Sequence, residues 1–119
     1  MQSSTNSIPL NQWTHVVGVG EAGQALKIYI NGVEDSNTQS GTMPTLYQDA
    51  NLFIGKDNGA AGRNFKGKLD ELAIWDTALN AGQIYNNIYQ PTKIGTNQTA
   101  NLVNNPNLPN PLAWYRMGD

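Results

Sequence analysis

The chain contains no cysteine, and this excludes disulfide frameworks, thiolate metal sites and cysteine nucleophiles. It has a single histidine, His15, so a Ser/His/Asp set has only one residue to be built around. Charge is also scarce. Lys, Arg, Asp and Glu together make up 13% of residues, the formal net charge is -2, and no Lys/Arg run occurs. Such a chain has no field to gather nucleic acid or an anionic membrane, so nucleic-acid binding is excluded. No segment approaches the ~20 apolar residues of a membrane span, which excludes membrane insertion through a helix. The start, "MQSSTNSIPLNQW", lacks the basic opening and apolar stretch of a signal peptide. If the protein works outside a cell, an export signal is therefore expected elsewhere, or the protein leaves as part of a particle.

What is present is neutral and polar. Sixteen Asn and eight Gln carry the solubility that charge does not. Against this background the apolar residues fall into short runs. Residues 13–19, "WTHVVGV", are β-branched and aromatic on both parities, the pattern of a strand buried on both faces, with Trp13 in the core and His15 as packed structure. Residues 26–30, "LKIYI", alternate, placing Leu26, Ile28 and Ile30 on one face and Lys27 and Tyr29 on the other. Asn31-Gly32 follows at once, the strongest short hairpin signal, because both central residues of a type I′ turn need positive φ. Residues 52–55, "LFIG", form a further short strand, and β patterning resumes over 65–75.

One helix is predicted, at about 81–89. Asn80 caps it and Gln83 reaches back from the third position, a capping-box arrangement. Leu79 and Ile84 stand as a hydrophobic staple, and Pro91 is expected to stop the helix. Trp75 is expected to cover this helix. Residues 91–112 hold six Asn and four Pro and read as a linker. A last strand, "PLAWYRMGD", closes the chain over 111–119. Five or more strands and one late, isolated helix give an all-β fold, an antiparallel β-sandwich.

The segments "NQWTHVVGV", "LKIYINGVEDS", "NLFIGKD" and "FKGKLDELAIWDTALNAGQIYNNIY", in that order, resemble the laminin-G-like, concanavalin-A-like family of jelly-roll lectin and glucanase domains, which includes the pentraxins. The resemblance covers residues 11 to about 89. It implies a jelly roll, and it also implies strands before Trp13 for which only twelve residues remain. "PLAWYRMGD" resembles the opening strand of such a domain. The expected organisation is therefore a partial jelly roll over 1–90, a linker over 91–112, and an isolated strand over 113–119 that resembles the start of another jelly roll. Either the chain is a fragment of a longer array or the missing strands come from a partner chain; a tail folded back into its own sheet, as in a circular permutant, is the third option. Open sheet edges imply a homo-oligomer in which edges or the tail strand are shared between chains.

The resemblance implies a non-catalytic module that binds carbohydrate or glycoprotein, outside the cell, on its surface or on a virion. The alternatives are an adhesive spacer that binds no sugar and a fragment of a glycoside hydrolase. Catalysis is disfavoured by spacing. Asp70 and Glu71 are adjacent, so along a strand they point to opposite sides and cannot flank one glycosidic bond. The loop 56–64, rich in Gly, supplies Asp57, Asn58, Arg63 and Asn64 as candidate ligand-binding residues. Hard cations want several oxygens. By resemblance to pentraxins Asp57 and Asn58 are candidate calcium ligands, and by resemblance to glucanase folds so is Asp70. Ca²⁺ is the one cofactor implied.

Overall fold

The computed structural model describes residues 8–36, 52–56, 62–93 and 100–117. Among these residues five strands, β1 (Val16–Val19), β2 (Lys27–Ile30), β3 (Val33–Glu34), β4 (Leu72–Ile74) and β5 (Ala113–Tyr115), form two antiparallel sheets of order β1-β2-β3 and β4-β5. One helix among them, α1, spans residues 81–92. The fold is all-β with one short helix, as the residue pattern predicts.

The β2–β3 turn forms as its sequence dictates. Ile30 pairs with Val33, and Asn31 and Gly32 take φ of 51° and 79°. Asn31 does more than turn the chain. Its backbone N–H donates to the His15 carbonyl (2.9 Å), and its side-chain Oδ1 accepts from the His15 N–H (3.1 Å). One residue thus ties the hairpin tip to the entrance of β1. Glycine at position 32 is required twice over, since a Cβ there would stand 2.7 Å from the Tyr89 ring and 2.9 Å from that of Tyr85.

The start of α1 is the predicted capping box. Gln83 N–H donates to Asn80 Oδ1 (2.9 Å) and Asn80 N–H to Gln83 Oε1 (3.0 Å). Leu79 and Ile84 are buried together, and Ile84 is 0% exposed. The end of α1 differs from expectation. Most of the helix, Gln83–Tyr89, is a wide π turn, and the Gln90 N–H reaches back to the Tyr85 carbonyl. A last α turn, Gln90–Thr92, carries the helix through Pro91. Pro91 lies in the last turn of α1, so the N–H it lacks is missing only at the helix end. The Thr92 hydroxyl lies 3.0 Å from the carbonyls of both Ile88 and Tyr89, so carbonyls near the helix end keep a donor.

The core joins Tyr29, Leu79, Ile84, Ile88, Ala100, Leu102 and Leu108, with Val17, Val19, Ala73, Trp75 and Trp114 packed against it. Three expectations change here. Tyr29, placed on the polar side of β2, is the inward residue, at 2% exposure. A tyrosine can serve there because its hydroxyl reaches the sheet margin, where it donates to Glu34 Oε2 (3.2 Å). Burial and the neighbouring Glu34 carboxylate raise its pKa. Secondly, β1 is covered on one face only, by way of Val17 and Val19. Val16 stays 49% exposed, and Trp13, expected in the core, is 59% exposed. No second layer covers that side among the described residues.

Thirdly, the segment read as linker contributes core. Ala100, Leu102 and Leu108 are buried, and the polar residues between them organise the backbone. Asn101, Asn105 and Asn110 side-chain oxygens accept the N–H groups of Val103, Asn107 and Asn104 at 2.9–3.2 Å. Trp75 Nε1 donates to the Pro109 carbonyl (3.0 Å), and Gln83 Nε2 donates to the Asn107 carbonyl (3.2 Å). Trp75 thus packs on the core as expected, while its polar end holds residues 100–112 in place.

The tail strand, expected to stand apart, is paired with its own chain. Leu72 faces Tyr115, Ala73 faces Trp114 and Ile74 faces Ala113. The Leu112 N–H donates to the Ile74 carbonyl (2.8 Å) at the end of the pair.

Candidate functional site

Between β1 and β4 lies a trough of about 730 Å³. One wall is the β1 segment and the other runs from Leu69 to Leu79. Exposed apolar side chains collect along it: Ile8, Trp13, Val16, Phe65 and Leu69. A concentration of exposed apolar surface of this kind marks a contact face rather than ordinary solvent-facing surface.

His15 borders the trough. Its ring lies 5.9 Å from that of Tyr89, and its Nδ1 is buried without a hydrogen-bond partner, as is the neighbouring Thr14 hydroxyl. Burial lowers the His15 pKa below its ordinary 6.5, so the ring is neutral at physiological pH. A neutral ring packed on a tyrosine is the structural role expected of His15 from the sequence around it.

At the other end of the trough, Glu71 anchors the tail. It sits at φ 52°, in the left-handed region that a β-carbon resists. From there its carboxylate accepts the indole N–H of Trp114 (2.6 Å) and the Nε–H of Arg116 (3.2 Å). The Arg116 guanidinium in turn lies 5.1 Å from the Trp114 ring centre. Carboxylate, indole and guanidinium therefore form one clasp across β4 and β5. The short sequence separation of Asp70 and Glu71 hides this role, because the partners lie 43 and 45 residues downstream. An acid one residue before a strand and a Trp-x-Arg on another strand are the only sequence trace of it.

The expected site residues are not gathered in this trough as a set. Asp70 borders it and is exposed, with its Oδ1 accepting the Glu71 N–H (2.9 Å). Asn64 pairs with Lys56 in an isolated bridge, and the Phe65 N–H donates to the Gly55 carbonyl (2.8 Å), so the two stems of the 56–64 loop meet. Arg63 is exposed at the same stem. Asp57 and Asn58 lie outside the described residues. Among the described residues no three acidic or histidine side chains come together to hold a metal. Those residues alone therefore do not make a calcium shell around Asp70.

A family model described as the concanavalin A-like lectin/glucanases superfamily matches residues 2–85. Adhesion G-protein coupled receptor D1 of Homo sapiens is 34% identical over 80 residues, which is 66% of this chain and 9% of the receptor. Its Bos taurus counterpart is 31% identical over 80 residues, 66% of this chain and 8% of the receptor. The chain thus spans less than a tenth of the length of these relatives. No solved structure matches.

Proposed function

Because the chain belongs to the concanavalin A-like lectin/glucanases superfamily, we propose that it is an extracellular adhesive module, without catalytic activity, that binds carbohydrate or glycoprotein. The observation that carries this reading is the similarity to adhesion receptors over 80 residues, beside the lectin-type family match over residues 2–85. The site chemistry agrees with it. Of the acids that line the trough, Asp70 and Glu71 hold backbone and tail in place through their hydrogen bonds. The loop stem at Lys56, Arg63 and Asn64 presents cationic and amide groups suited to sugar hydroxyls or a glycoprotein's acidic groups.

Calcium assistance is the finer part of the proposal. It calls on Asp57, Asn58 and Asp70, and hard-cation chemistry requires further oxygens beside them. Glycan-array binding with and without a chelator tests both parts. Binding that survives chelation retains the lectin and removes the metal. Absence of binding to every glycan and to glycoprotein-coated surfaces refutes the lectin and leaves an adhesive spacer. Hydrolysis of a β-glucan would overturn the non-catalytic assignment.

A further inference from the structure

The free edges of the two sheets are not alike. β3 is two residues long and contains Glu34. The β4 approach carries Asp70 and Glu71, with Asp76 just beyond the strand, and β5 is flanked by Pro111 and Arg116. Charges, proline and brevity are the devices that keep sheet edges from pairing with other chains. Residues 12–20, "QWTHVVGVG", contain no Lys, Arg, Asp, Glu or Pro. β1 is therefore the one unguarded edge among the described strands, and it opens onto the trough.

The ladder fixes which backbone groups are free. The His15 carbonyl accepts from Asn31 N–H on the β2 side. By alternation, residues 17 and 19 also bond β2, which leaves the N–H and C=O groups of Val16 and Gly18 directed away from it. On the sheet face above them Gly18 carries no side chain, and a Cβ there would meet nothing within 4 Å. We infer that this edge of β1 pairs antiparallel with β1 of a second copy, giving a two-fold dimer with a continuous six-stranded sheet. A second copy is favoured over another partner by charge. In a self-pairing centred on Val17, Val16 faces Gly18 of the copy and the nearest charge, Glu21, meets the uncharged Trp13, so no like charges oppose. The tail strand is not what is shared, because the clasp at Glu71 already holds it within the chain.

Sedimentation velocity of the full chain across a wide concentration range, with Val16→Lys, Gly18→Lys and the control Val33→Lys, tests this. Wild type is expected to dimerise. Both β1 variants bring like charges together across the two-fold axis and should raise the dimer Kd at least tenfold while keeping the wild-type circular dichroism. Val33→Lys, on an exposed residue of β3, should leave it unchanged. Mixed Val16→Cys and Gly18→Cys chains, whose thiols face each other across the pairing, should give a disulfide-linked heterodimer on mild oxidation. A wild-type monomer at every concentration overturns the inference. So does a dimer that tolerates both lysines, one that Val33→Lys disrupts, or an open series of higher oligomers.

Discussion

Removing the Glu71 carboxylate should loosen the tail by a predictable amount. Its hydrogen bond with the Trp114 indole is one to a charged acceptor, worth roughly 1.5–3 kcal/mol when buried. The Glu71 side chain is 31% exposed, and its partner Arg116 42%. The hydrogen bond therefore belongs at the low end of its range, and the ion pair adds only about 0–1 kcal/mol. Glu71→Ala, which keeps a β-carbon at φ 52°, should cost about 2 kcal/mol. Glu71→Gln keeps an acceptor for the indole but loses the charge, and should cost about 1 kcal/mol. Glu71→Gly loses the clasp but regains about 1 kcal/mol by relieving the left-handed strain, so it should fall near the glutamine variant. Urea unfolding followed by tryptophan fluorescence reads these differences. With a slope of about 2 kcal/mol/M, the alanine midpoint should drop by about 1 M. An alanine midpoint within about 0.2 M of wild type, or a glycine variant less stable than alanine, would refute both the clasp and the strain assigned to it.

Three further outcomes follow from the packing. Ile84→Ala empties the one fully buried side chain among the described residues and should cost about 2–5 kcal/mol in the same unfolding assay. Gly32→Ala must both adopt φ 79° and displace the rings of Tyr85 and Tyr89, so it should lose more than the ~1 kcal/mol of the backbone term alone. Adding Tyr89→Ala should recover part of that loss, and no recovery would show that the rings are not the obstacle. Burial depresses the His15 pKa in the folded chain, so below 6.5 the unfolded chain binds the extra proton more readily. Stability should fall as the pH drops through 6.5 toward the folded value and stay level above it, and His15→Gln should abolish that slope.

What the sequence discloses of this molecule is largely what is local. Asn31-Gly32 announces its turn because positive φ is a property of two adjacent residues. The pair Asn80 and Gln83 announces the helix start because capping spans one turn. Alternation in "LKIYI" separates two faces but does not say which is inward, and Tyr29 lies inward because Glu34 waits for its hydroxyl. The segment 91–112 resembles a linker by composition. Yet its asparagines bond the backbone of their own loop, and Leu102 and Leu108 fill the core. The leucines were the available signal, since a solvated linker has no use for them. The candidate site is less legible still. The trough is made by segments more than 40 residues apart, and the role of Glu71 likewise depends on partners more than 40 residues downstream. Nothing in the immediate sequence of either wall records the other.

The pairing of β5 with β4 of the same chain is the most exposed part of the account, and a cysteine pair tests it directly. The natural chain has no thiol, so Leu72→Cys with Tyr115→Cys introduces two that face each other across the β4–β5 ladder. Under mild oxidation at low concentration, non-reducing electrophoresis and intact mass should show one disulfide within each chain. Chains cross-linked to one another through these two residues, or thiols that stay free, would contradict it.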